Sequence, residues 1–382
     1  MHKSTAWIQA MLASLLIVGL VGTPLPSLAQ EPGSNNSDPS ALAQVYLPTV
    51  IQNVASAAYS SAAVRAGPPP KYFVDEGQLP FDALAGVETQ RLWGIHNGAG
   101  FRIEVPANWN GDLFVWAHGY RGTGLELTVD NPPFREWLVI NGFAWAASSY
   151  SRNDYDVATG AQDTHALTQY FTGRFAKPKH VYIAGVSMGG HITGVSIEQW
   201  SNTYHGALPL CGVMGDYALF DFFLDFNLVA QAQAGIAAEF PPPDNYLSTT
   251  VPAVKLALAP GTYPFLLNEK GTQFKAAIEQ LSGGERPLFD QGFLFWSGAL
   301  PPQFLDPDFL FGLGMGDGTL PRSKGVSVEN VNTVYQFDSD PALSPEEAQL
   351  NAAVLRITHD PQGRHKNGLS NVPPINGNIR IP

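Results

Sequence analysis

The 382-residue sequence predicts an α/β fold built on a mostly parallel, doubly wound sheet. Two observations carry that prediction. Short, continuous apolar runs alternate with stretches long enough for helices, which is how buried parallel strands joined by crossovers read. One of these runs, His180-Val181-Tyr182-Ile183-Ala184, passes straight into Gly185-Val186-Ser187-Met188-Gly189, and a helix-compatible stretch follows at 192–200. A strand that turns so sharply into a helix crowds its own backbone, and glycines on either side of Ser187 remove the Cβ atoms that would collide.

The elements follow in order. Residues 91–95 and 101–105 form a hairpin around Asn97-Gly98-Ala99-Gly100. Residues 113–117 are apolar throughout and end at His118-Gly119, as a buried strand would. A helix at 134–140, a buried strand at 143–147 and a second helix at 156–175 come next. The strand at 180–185 carries Ser187 at its end, and one more buried strand is expected at 207–213. Cys211, the only cysteine, lies between apolar neighbours and reads as a small buried hydrophobe.

The N-terminus reads as an export signal. His2 and Lys3 precede an apolar stretch at 10–21, Pro24 and Pro26 end it, and Ser27-Leu28-Ala29 offers small residues for cleavage after Ala29. Residues 30–79 are rich in Ala, Ser, Pro and turn formers and read as a flexible linker, although Tyr46-Leu47-Pro48-Thr49-Val50-Ile51 could dock on the body. The rest is 45% hydrophobic and 14% charged across the chain as a whole, enough for a large core. A net charge of −12 without any basic run argues against nucleic acid or anionic membrane surfaces as partners. The apolar stretch at 10–21 is too short to span a bilayer.

With a hairpin, a strand ending in His118-Gly119-Tyr120 and the Gly185-Val186-Ser187-Met188-Gly189 bend downstream, residues 85–216 resemble the α/β-hydrolase superfamily, in its secreted serine-esterase type. The resemblance implies that Ser187 is a catalytic nucleophile. Met188 N–H, at the start of a helix, and Tyr120 N–H, after the third strand of that fold, would form the oxyanion hole. His118 is then either a residue that orients this loop or a satisfied histidine at a strand end. No metal or cofactor is implied. Residues 217–374 are rich in Phe and Pro and read as a cap inserted after the sixth strand. Thirteen of the 22 phenylalanines fall between Phe220 and Phe311, either lining an acyl or aryl pocket or forming the cap's own core.

In the superfamily the chain order is Ser, then Asp or Glu, then His. Only His359 and His365 remain after Ser187, since His191 is too near in sequence to reach back and His205 lies in the loop before the sixth strand. One fallback takes 331–337 as a strand, Asp338 or Asp340 as the acid and His359 as the base. The simpler reading takes residues 375–382 as the lead-in to a seventh strand, so that the chain is truncated before it and lacks both acid and base. The sixth strand would then be an unprotected edge. The expected function is an exported serine hydrolase cleaving hydrophobic or aromatic carboxylic esters, a small-molecule substrate, through an acyl-enzyme. A peptidase or amidase and a non-catalytic protein on the same scaffold are the alternatives.

Overall fold

The structure is a computed structural model and describes residues 71–122, 124–212, 214, 217–299, 308–313, 326–361 and 377. The export signal, residues 30–70 of the linker, His365 and the lead-in strand at 375–382, apart from Gly377, lie outside the described residues.

Six strands form one sheet: β2 (Thr89–His96), β3 (Ala99–Pro106), β4 (Asp112–Ala117), β6 (Ala144–Ser148), β7 (His180–Val186) and β8 (Gly206–Leu210). Their order across the sheet is β2-β3-β6-β4-β7-β8. The hairpin β2–β3 and the β3–β6 pair are antiparallel, whereas β6–β4, β4–β7 and β7–β8 are parallel. A short strand, β1 (Phe73–Val74), pairs separately with β5 (Glu126–Leu127).

Helices cover both faces, because strands without polar alternation must be buried on both sides. On one face lie α2 (Val157–Arg174) and α3 (Met188–Gln199). Asp156 caps α2 by accepting from Thr159 N–H, and Val157, Ala161, Thr164, Leu167, Thr168 and Phe171 turn the buried stripe of this helix inward. Phe171 and Leu167 pack there with Ile103, Leu113, Val115 and Ile183. On the other face α1 (Arg135–Ile140) sets Leu138 and Val139 against Trp116, Trp145 and Val186. Arg135 anchors α1 through Glu104, a fully buried carboxylate on β3 that also accepts from Trp145 Nε1 at 2.8 Å.

The linker boundary expected at residue 79 is corrected. Residues 71–79 are docked on the body: Phe73 N–H donates to Leu125 O at 3.0 Å, Tyr72 Oη to Asp154 at 2.5 Å, and Leu79 is buried. The strand expected to be buried at 207–213 is also different. It ends at Leu210 and, among the described residues, forms an edge of the sheet, with Leu208 51% exposed. Cys211 is exposed, in a left-handed turn at φ 47°, and is not a core residue. An apolar run has the same composition on an edge as in the middle of a sheet, so composition alone did not separate the two. Between α1 and β8 the sheet leaves an open apolar hollow of about 630 Å³ lined by Phe114, Phe134, Trp137, Phe143, Tyr182 and Leu208. Exposed apolar edges pair with one another. Leu208→Lys is therefore expected to reduce concentration-dependent light scattering of the purified protein while leaving its circular dichroism unchanged.

Beyond β8 the described chain is helical: α4 (Tyr217–Ala234), α5 (Val251–Leu258), α6 (Glu269–Leu281), α7 (Phe289–Leu294), α8 (Phe309–Gly312) and α9 (Pro345–Ala353). Five of the rings left open above belong to the core of this layer. Phe226, Phe274 and Phe311 are buried, Phe226 lies edge-on to both others, and Phe289 and Phe293 join the same cluster. Helix α9 starts at a capping box between Ser344 and Glu347 and ends at Ala353. Among the described residues no helix is long and apolar enough to cross a membrane.

The segment 326–360 is tied to α4 by polar contacts. Glu329 N–H donates to Asp221 Oδ1 at 2.9 Å, and Tyr335 Oη donates to Asp225 Oδ1 at 2.6 Å. Asn330 donates to Tyr335 Oη, and Arg356 lies 4.9 Å from the Tyr335 ring. Burial pushes the Asp225 carboxyl up to about 7, against the opposing pull of the Tyr335 hydrogen bond, and Asp221 raises it further. A carboxyl with a raised folded-state pKa favours the folded state fully while it is protonated in both states, below about pH 4. Its contribution falls as pH rises toward the folded value and is gone above it. Between pH 5 and 8 the urea midpoint is thus expected to fall, and Asp225→Asn to flatten that fall. An unchanged slope in the variant would assign the pH dependence to other groups.

Candidate active site

The bend after β7 is the most constrained turn in the sheet. Ser187 sits at φ 55° and ψ −118°. Positive φ at a residue with a Cβ is uncommon, and holding one costs of order 1–3 kcal/mol. Two backbone bonds hold it. Ser187 N–H donates to Leu210 O of β8 at 2.9 Å, and Ser187 O accepts the first helical bond of α3 from His191 N–H at 3.1 Å. The flanking glycines are required by contact: a Cβ on Gly185 would stand 2.2 Å from Gly189 O, and one on Gly189 would stand 2.1 Å from Ala117 O. Those distances leave room for hydrogen only, so β7, α3 and the end of β4 meet backbone to backbone. Ser187 itself is half-buried. Met188 is the first residue of α3, where N–H groups have no acceptor within the helix and the dipole favours negative charge.

The contact with β4 also places the next residues of that strand. A Cβ on Gly189 would lie 2.7 Å from His118 O, so the His118-Gly119-Tyr120 segment leaves β4 beside the serine turn. His118 is 2% exposed. Its Nδ1 lies 2.7 Å from Gly119 O and 3.3 Å from Arg121 Nε, and its ring stacks on Tyr150 at 4.0 Å. Burial, reinforced by the Arg121 charge, lowers its pKa to about 3, so the ring is neutral across the physiological range. Of the two roles left open for His118, these contacts fit a residue of the loop itself. Arg121 is paired with Asp130 and donates to Thr128 Oγ1 at 2.9 Å. His191 is buried one turn into α3, with its Nδ1 3.2 Å from Tyr155 Oη.

The fallback acid and base are not brought together. Residues 331–337 form turns and irregular chain instead of a strand, and Asp338 and Asp340 are exposed and bond to backbone N–H groups within their own loop. His359 pairs through Nδ1 with Glu329 Oε2. Glu329 was not a candidate from the sequence, because a pair separated by thirty residues leaves no local pattern. Among the described residues no hydrogen bond joins Ser187 Oγ to a histidine. The site therefore brings together Ser187, Met188 and the segment at Tyr120, whereas the carboxylate paired with His359 is Glu329 and neither Asp338 nor Asp340.

No family model matches the sequence. The o-phthalyl amidase of Xanthobacter agilis is 26% identical over 125 residues, which are 32% of this chain and 27% of the relative. The match thus spans about a quarter of that protein's length. Among solved structures, an esterase/lipase from an uncultured bacterium is 17% identical with a TM-score of 0.29, over 40% of this chain and 52% of its own. A fluorophosphonate-binding serine hydrolase of Staphylococcus aureus is 16% identical with a TM-score of 0.28, over 35% of this chain and 61% of its own. A prolyl endopeptidase is 18% identical with a TM-score of 0.29, over 37% of this chain and 23% of its own.

Proposed function

We propose that this protein is an exported serine hydrolase of the α/β-hydrolase type, acting on hydrophobic or aromatic carboxylic esters. One observation carries the reading: Ser187 is held at φ 55° between a parallel strand and a helix N-terminus by backbone contacts that only glycine allows. Strain of this kind persists where the surrounding structure over-determines it, and such sites are typically functional. In this reading Ser187 Oγ attacks the ester carbonyl, the tetrahedral intermediate expels the alcohol, which takes up the proton lost by the serine, and water hydrolyses the resulting acyl-enzyme to the acid and free Ser187. Met188 and Tyr120 N–H groups stabilise the oxyanion. The exported location rests on the N-terminal sequence pattern alone.

Two other readings each have an observation in their favour. The o-phthalyl amidase relative favours an amide substrate. The lack of a histidine bonded to Ser187 among the described residues favours a protein that keeps the scaffold without turnover. Rates on p-nitrophenyl butyrate and on matched p-nitroanilides, with fluorophosphonate labelling, separate the three. Ester turnover with labelling at Ser187 supports the proposal, and faster anilide cleavage replaces it with the amidase reading. Absence of both turnover and labelling leaves the non-catalytic reading.

A further inference from the structure

Whether the Tyr120 N–H can serve an oxyanion depends on the peptide that precedes it, and one side chain controls that peptide. Tyr150 Oη donates to His118 O at 2.9 Å. The two rings are stacked 4.0 Å apart with planes 23° from parallel, and both residues are 2% exposed or less. With the ring proton on Nδ1, His118 donates to Gly119 O at 2.7 Å and holds the following carbonyl, and Arg121 Nε, 3.3 Å from the same nitrogen, is then a contact and not a donor to it. The segment is therefore gripped at two successive carbonyls, one by the tyrosine hydroxyl and one by a ring that lies on the same tyrosine.

Tyr150 is itself held in an unusual conformation. It stands two residues past the end of β6 at φ 59°. Its N–H donates to Ser148 Oγ at 3.0 Å, and its carbonyl accepts from Ser149 Oγ at 2.7 Å. Ser149 is fixed to β3 in turn, exchanging backbone and side-chain bonds with Gly100 at 2.8 Å each. A large aromatic residue at positive φ is a costly placement that core filling alone does not need. With the backbone turned this way, the hydroxyl reaches the end of β4, beside Gly189 and Ser187.

We infer that Tyr150 is a positioning residue: its hydroxyl and ring fix the His118–Gly119 peptide so that Tyr120 N–H faces the carbonyl attacked by Ser187. This rests on the serine-hydrolase reading above. Tyr150 touches no substrate and transfers no proton. The neutral state of His118 agrees with it, since a charged ring could not stay buried against Arg121.

Tyr150→Phe keeps the stacked ring and removes only the hydroxyl. With p-nitrophenyl butyrate, kcat is expected to fall about 10- to 100-fold, with KM changed less than about twofold, because an oxyanion donor acts in the transition state. Affinity for a butyl boronic acid, which forms a tetrahedral adduct on the serine, should fall by the same factor as kcat. A merely structural hydroxyl would lower the melting temperature and leave kcat and the boronate affinity of the folded enzyme unchanged. If Tyr150→Phe does not fold, His118→Phe, which keeps the stack and loses the Gly119 contact, carries the test with the same expected split. Wild-type values of kcat and boronate affinity in a folded variant would overturn this inference and leave the serine-hydrolase reading standing. Absence of both turnover and boronate binding in the wild type would instead remove that reading, and this inference with it.

Discussion

Ser187→Ala is expected to remove ester turnover and fluorophosphonate labelling together, the turnover by about 10⁴- to 10⁶-fold. The companion substitution is Ser187→Gly. Alanine keeps the Cβ, and with it the cost of φ 55°, so its folding stability should match wild type within about 0.5 kcal/mol. Glycine visits this region freely, so Ser187→Gly should abolish turnover while raising stability by about 1 kcal/mol. Urea denaturation followed by tryptophan fluorescence measures both. Opposite movement of activity and stability is what a strained nucleophile predicts. If glycine were neutral or destabilising, the turn would store no strain, and the main support for the functional reading would be lost. Activity that survives in Ser187→Ala would place the chemistry at another residue.

Gly189→Ala, in the first turn of α3, is expected to be a severely damaging single-methyl change. The new Cβ would stand 2.1 Å from Ala117 O and 2.7 Å from His118 O, and both obstacles are backbone. No rotamer change relieves such a contact, so β4 and α3 must separate. Overpacking typically costs about 1–3 kcal/mol where side chains can adjust, and about 3 kcal/mol or more is expected here. The measurement is the urea midpoint, with soluble yield as a coarse first reading. Gly284→Ala is the control, since its Cβ would have only the Gln280 side chain at 3.7 Å nearby; its φ of 81° should still make it mildly destabilising. Equal losses in the two variants would show that the β4 contact does not set the cost of Gly189→Ala.

These two positions were legible from sequence because their information is local. Strand, bend and helix are contiguous from His180 to Gln199, and the glycines beside Ser187 mark the bend directly. The strand ending at His118 was legible for the same reason, from an unbroken apolar run. What sequence could not deliver is pairing at a distance. The composition around Leu208 and Cys211 does not distinguish an edge from a central strand, and an edge is expected only through the truncation reading; among the described residues β8 pairs with β7 alone. Glu329 and His359 meet across thirty residues of loop and helix, with no periodicity to announce them. Residues 71–79 look like the linker before them, and what fastens them to the body is contact at a distance: Leu79 and Val74 against Gly100, Phe73 on Leu125 and Tyr72 on Asp154. Tyr150 follows Ser148-Ser149 in what reads as the start of a loop. Its importance arises from a left-handed backbone and a partner on another strand, and neither leaves a trace in composition.

The hydrogen bond from Ser187 N–H to Leu210 O ties the bend at Ser187 to β8, the outermost strand among the described residues. Edge elements open locally at lower free energy than a protein's centre. When β8 frays, the serine loses one of its two backbone anchors and the bend can relax toward ordinary dihedral angles. With Ser187 as the proposed nucleophile, the fraction of molecules holding the strained bend at any instant is then set by the opening equilibrium of β8, and not by the global folding equilibrium. Amide exchange at Ser187 reads that fraction directly, and its rate should follow that of β8 and not that of β4 or β6.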